Sequence, residues 1–319
     1  MKTTGLFLLL LVMILAGCNT GTDKADVSSS DTLQVPQNRF LSEQQLKDQV
    51  DMEIKNALVL ANDERILDAV EIINLTETAI RNILDSTYTE AVRNLEKAIG
   101  KATVLTAARP ELSFFPLDVN VTVKDLAVDM DYLRQIRYEA DKMTDKGYLQ
   151  AARHLLKDLA CEIEIKTPML PVATYPAALS AAAKALEENR IDEALVELNT
   201  ALGTIYIESR YIPLPLIRAE RMLAEVSTQL ENEDSQETIS VLLENAEYQI
   251  RFAKALGYGK RDKEFEDLYS AIKEIHKEIK KEKRGNSANQ VLKIREKLKL
   301  FKERISGAEN NLPTDEAGE

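Results

Sequence analysis

The chain has 319 residues, with 41 lysines and arginines against 53 aspartates and glutamates, for a formal net charge of −12. That balance argues against nucleic acid as a general partner, because phosphate backbones are bound by basic surfaces. Two cysteines and two histidines leave few side chains for thiol or imidazole chemistry, while the length suffices for a sizeable core in one or two domains.

Residues 1–17 have the pattern of an export signal: Lys2, then the apolar run "LFLLLLVMIL", too short to span a bilayer with its flanks. Leu15-Ala16-Gly17-Cys18 resembles a bacterial lipobox, which implies cleavage before Cys18 and its lipidation. Each buried CH₂ adds about 0.8 kcal/mol of membrane affinity, and two or more chains anchor stably. The expected setting is therefore the cell envelope, with a lipid-anchored protein facing the periplasm. Residues 18–40 are rich in Ser, Thr and Asp and predict a flexible tether. With Cys18 lipidated, Cys161 has no intramolecular disulfide partner, and it reads as a small buried hydrophobe rather than a reactive thiol.

From residue 41 onward, apolar side chains recur every three or four residues, so the chain is predicted to be mainly α. Residues 44–84 predict one long helix or two consecutive ones. A pattern of large apolar residue, Ala, then Leu recurs at Tyr88-Ala91-Leu95, Leu149-Ala152-Leu156 and Ile191-Ala194-Leu198, with a looser copy at Gln236-Ile239-Leu243. The alanines would let helices approach and the leucines would fill the seam. "FFPLDVNVTV" puts Val119, Val121 and Val123 on one face of a short strand.

The second and third copies share more than helical register. A shift of 42 residues superposes Ile163 on Ile205, Ile165 on Ile207, Leu170 on Ile212 and Pro171 on Pro213. Two duplicated units follow, at about 149–175 and 191–217, each a helix, a short strand, a proline connector and the next helix. Pro171 is expected where the chain leaves a strand, and Pro176 in the first turn of a helix, where its missing N–H costs nothing. The expected architecture for 41–259 is a helical-repeat-like array with a small sheet of two or three short strands. The connector residues Pro171, Tyr175, Tyr211 and Pro213 are the candidates for a groove that takes a small amphipathic ligand.

Residues 260–306 hold 15 basic against 9 acidic residues. Leu268, Ile272, Ile275 and Ile279, and, after "RGNSANQ", Val291, Ile294, Leu298, Phe301 and Ile305, predict a basic helical hairpin. Its charges are expected to be solvated or paired within the chain. Residues 307–319 predict a disordered tail.

No catalytic constellation stands out. His154 lies seven residues before Cys161, about 10 Å of helical rise, too far for a nucleophilic pair. No phosphate loop, serine elbow or zinc motif is present. The chain is not expected to be an enzyme, and no cofactor or metal is expected.

"ATVLTAARPELSFFPLDVNV", "GYLQAARHLLKDLACEIEIKTPMLPVATYPAAL", "NRIDEALVELNTALGTIYIESRYIPLPLIRAERML" and "YQIRFAKALGYGKRDKEFEDLY" together resemble the YfdX family of bacterial envelope proteins, over about residues 65–280. The lipobox is unlike a plain secretory signal, and the hairpin from about Ala288 lies beyond the resemblance. The resemblance implies a mainly helical protein without established catalytic residues, linked to envelope stress protection. The expected function is protein–protein interaction, chaperone-like or scaffolding, with other envelope proteins or its own copies. A module for small amphipathic molecules is the alternative.

Overall fold

In the computed structural model, described for residues 43–58, 64–108, 113–232, 236–259, 262–281 and 284–307, the prolines mark the joints as their chemistry requires. The signal segment, Cys18 with its tether, and the tail beyond residue 307 lie outside the described residues. Residues 44–84 form two helices, α1 (Glu43–Leu58) and α2 (Glu64–Leu84), followed by α3 (Tyr88–Ala108). The hairpin between α2 and α3 turns at Ser86, in the left-handed region at φ 59°. Strands β1 (Phe115–Pro116) and β2 (Asn120–Lys124) precede α4 (Met130–Asp145) and α5 (Leu149–Leu156). Helix α4 is capped by Asp129, whose carboxylate accepts from the Tyr132 N–H at 2.7 Å.

Next come the two segments that the 42-residue shift aligns. Strand β3 (Glu162–Leu170) leads through Pro171 into α6 (Tyr175–Glu187), with Pro176 in its first turn. Helix α7 (Ile191–Gly203) leads into β4 (Tyr206–Pro213), then α8 (Leu214–Glu231), with Pro215 in its first turn. The chain continues through α9 (Gln236–Leu256), α10 (Glu264–Lys280) and α11 (Arg284–Ile305).

Two helical bundles result. In the first, α2, α3, α6 and α7 surround Ala91, Leu95, Ala98, Ala182, Ala194 and Leu198, where the alanines bring helix axes close. In the second, α8, α9, α10 and α11 close a ring around Leu223, Leu243, Phe265, Ile272, Leu298 and Phe301. The seam residues of the basic hairpin are all buried in that second core. Helix α11 begins at Arg284, so "RGNSANQ" lies within it; Ser287 is buried and Ala288 packs against the core.

The sheet is antiparallel with β3 central. β4 pairs along one side of β3, while β2 and then β1 share the other. Among the described residues it has four strands where the sequence suggested two or three, because the two-residue β1 has no periodicity to announce it. Pro168 falls where β3 passes from β2 to β1, a gap that needs no ladder N–H, and its carbonyl still accepts from the Leu117 N–H. Ile163, Ile165 and Ile212 face a third apolar cluster with Leu133, Ile217 and Phe252. The valine face of β2 is graded: Val119 is buried, Val121 half-buried and Val123 exposed. The repeat leucines do not all fill seams either. Leu149 and Leu156 are exposed, because the short α5 packs mainly on α4 and presents only Ala152 inward.

Candidate functional site

Strand β3 alternates Glu162, Ile163, Glu164, Ile165, so its isoleucines enter the core and its carboxylates share the opposite face. Both carboxylates are nonetheless buried. Lys124 on β2 lies 3.0 Å from Glu164 and 3.8 Å from Glu162, and Lys166 lies 2.8 Å from Glu164. The Lys166 hydrogen bond holds the Glu164 carboxyl below its usual range, against the opposing effect of burial. For Glu162 burial wins, pushing it upward despite the hydroxyl of Tyr258 and the charge of Lys124.

Tyr258 closes the end of this strand. Its hydroxyl donates to Glu162 Oε2 at 2.8 Å and accepts from the Cys161 N–H at 3.0 Å. The "ALGYG" segment is what lets it reach: Gly257 and Gly259 both sit at positive φ, 94° and 64°, either side of the tyrosine. A Cβ on Gly259 would meet Ile305 Cγ2 at 3.1 Å, so the same glycine permits the close approach of α11. Beside the tyrosine, the Cys161 thiol lies 3.6 Å from Asp125 Oδ1 and 3.8 Å from an Arg218 nitrogen, and Arg218 pairs with Asp125 at 2.6 Å. Burial pushes the Cys161 thiol up to about 11. A buried, protonated thiol is a poor nucleophile; this cluster ties β2, β3, α8 and the end of α9 together.

A second charged knot lies at the same end of the sheet. Lys302 on α11 is only 6% exposed and is paired with Glu53 on α1 and, at 2.8 Å, with Glu220 on α8. Burial disfavours its charge, but the hydrogen bond and charge of Glu220, helped by Glu53, outweigh this and raise its pKa. One turn on, the Ser306 carbonyl accepts from the Tyr211 N–H at 3.1 Å. The surplus charge of the hairpin is thus partly spent inside the chain, as with Lys297 on Asp267 at 3.1 Å and Arg304 on Glu264 at 2.7 Å.

The four connector residues do not converge. Tyr211 pairs opposite Glu164 and Pro213 opposite Glu162, whereas Pro171 follows Leu170 at the far end of β3. A nine-residue strand spans roughly 26 Å. The cause is the pairing itself: the duplicated strands lie antiparallel, so equivalent connectors leave from opposite ends. Tyr175 is buried among the first bundle's core residues, and burial pushes its phenol up to about 12. His154 is exposed on α5; His276 lies 3.6 Å from Glu244, with its pKa lowered by burial and by Lys280. Sequence reasoning passed over Glu162, Glu164, Tyr258 and Lys302. The alternation of "EIEIK" and the glycines around Tyr258 were the available signals.

The outer edge of β4 stays open. The Tyr211 N–H points away from β3 to Ser306, and the Leu214 N–H points to the Cys161 carbonyl beside β3. By alternation Ile207 and Ser209 also point their N–H and C=O groups outward, and no strand pairs with this edge among the described residues. The edge has an apolar rim: Ile207 is 61% exposed, Tyr206 42% and Phe114 41%, the last two rings meeting edge-to-face at 5.2 Å.

These features define a mainly α protein with two helical bundles on a small antiparallel sheet, clamped by charge at one end and open along one edge. Residues 72–211, from within α2 to within β4, match the model of the YfdX protein family, and that segment carries the YfdX pattern. The match is narrower than the 65–280 expected and leaves α1, α8, α9, α10 and α11 outside. A solved structure of Salmonella Typhi YfdX is similar at a TM-score of 0.32 and 11% identity, over 46% of this chain and 91% of that chain. No curated protein matches the chain. No described helix is long and apolar enough to cross a membrane.

Proposed function

We propose that the protein is a non-enzymatic, lipid-anchored envelope protein of the YfdX type that protects other envelope proteins under stress by holding their unfolded segments. The observation that carries this reading is the open β4 edge. An unpaired strand edge offers main-chain hydrogen bonds to any extended segment, and exposed apolar residues beside it add affinity for an apolar-rich one. Its occupant on this reading is an extended, apolar-rich stretch of a partly unfolded envelope protein. The anchor rests on Cys18 and the lipobox, and would keep the holding surface where such clients accumulate.

The test is light scattering from an acid-stressed mixture of envelope proteins at about pH 4–5, with and without an equimolar amount of the protein. Suppressed aggregation is expected, with Ile207→Lys losing most of it, since an edge lysine opposes strand addition. No suppression by the wild type, or equal suppression by the variant, refutes holding at this edge. Mass spectrometry of the Cys18 peptide from cells checks the anchor; an unmodified thiol there would remove it.

A further inference from the structure

A second surface is independent of the holding edge. Helices α4, α9 and α10 enclose a cleft of about 700 Å³ whose lining includes Arg134, Arg137, Arg251, Lys254 and Lys273 against a single acid, Glu266. Such a cationic concavity is unexpected on a chain of net charge −12. Its charge is only partly met from within. Arg134 pairs with Asp131 at 2.8 Å, Arg251 with Glu247, and Lys254 with Glu266. Arg137 donates to the Ala255 carbonyl at 3.0 Å, a bond that leaves its charge uncompensated. Lys273 is in no ion pair among the described residues.

Tyr269 also lines the cleft. It is 6% exposed, and its buried hydroxyl has no hydrogen-bond partner. Its ring carries the Arg251 guanidinium at 4.8 Å and the Lys254 ammonium at 5.7 Å, so both cations are held in place by the aromatic face.

We infer that this cleft binds a phosphate-bearing ligand, with Arg137, Arg134 and Lys273 on its oxygens. Planar guanidinium forks match phosphate oxygens, and a doubly charged group answers the surplus that a single carboxylate would leave. The volume lies in the range of small-molecule sites and exceeds what a bare phosphate fills. Two sources share this chemistry, a soluble organophosphate and a phospholipid headgroup.

Pyrophosphate is the probe for the test, titrated calorimetrically into the full-length chain at low and moderate salt. Binding that weakens with salt is expected, with at least a tenfold loss in R137E/K273E, whose substitutions fall on the surface. Circular dichroism checks that the variant folds. Cosedimentation with phosphatidylglycerol and phosphatidylcholine vesicles, wild type against R137E/K273E, assigns the source. A charge-dependent difference on the anionic vesicles points to headgroups, and its absence alongside pyrophosphate binding points to a soluble ligand. No pyrophosphate binding, or binding that survives R137E/K273E, overturns the inference.

Discussion

Replacing Lys302 by methionine removes the central charge of a knot that joins three helices. The ammonium is buried between Glu53 and Glu220, whose side chains remain 17% and 19% exposed. Breaking a buried pair costs about 3–5 kcal/mol when the orphaned charge is fully desolvated. Here two carboxylates are left facing each other but still touch water, so a loss of about 2–4 kcal/mol is expected. At ~2–4 °C per kcal/mol for a body of this size, that lowers the melting temperature by roughly 4–16 °C. Urea unfolding followed by circular dichroism measures it, and Glu220→Gln in the Lys302→Met background should recover part of the loss. The pH dependence has a definite sign. The pKa of Lys302 is raised on folding, so its contribution is complete below the unfolded value of about 10.4 and fades as pH rises through the folded one. Wild type and variant should therefore differ fully at neutral pH and converge as pH rises into the alkaline range. A loss under about 0.5 kcal/mol at pH 7, or no coupling to Glu220, would refute the reasoning.

Glu162 and Glu164 should respond to acid in opposite senses. The pKa of Glu164 is lowered, so Glu164→Gln should cost about 1–2 kcal/mol at pH 7, with the deficit closing as pH falls below about 4; urea titrations across pH 3–7 measure it. The pKa of Glu162 is raised, so its neutral form is the one folding favours, and that stability is lost as pH rises through the folded value. Glu162→Gln should therefore be neutral to stabilising, within about 1 kcal/mol at pH 7, and match wild type in acid. Tyr258→Phe leaves the Cys161 N–H and a Glu162 oxygen without their partner and should cost about 1–3 kcal/mol, visible as faster amide exchange at Cys161. Gly259→Ala combines a positive φ with a 3.1 Å contact to Ile305 and should lower stability by about 1–3 kcal/mol in thermal unfolding, with Gly100→Ala, which meets nothing within 4 Å, as the control.

The helices and the proline joints were legible because each leaves a local mark: a period or a missing N–H. The buried seams of α10 and α11 followed from the same periodicity. What was not legible depends on how distant segments meet. A shift of 42 residues aligns β3 with β4 but does not say that they pair antiparallel, and that pairing separates Pro171 from Pro213. The exposure of Leu149 and Leu156 likewise reflects the missing outer neighbour of α5, not its sequence pattern. Lys302 is one lysine among many on a basic helix until α1 and α8 bring Glu53 and Glu220 to it. The charged end of β3 was half visible, since "EIEIK" alternates, but its burial comes from Lys124 on another strand and Tyr258 beyond α9.

Amide hydrogen exchange along β4, with and without an acid-unfolded envelope protein, tests the holding edge most directly. In the free protein, Ile207 and Ser209 should exchange fast while Glu208, Arg210 and Tyr211 are protected. Adding the client should slow Ile207 and Ser209 selectively. Unchanged exchange at these two amides while aggregation is suppressed would contradict the account, because the client would then be held somewhere else.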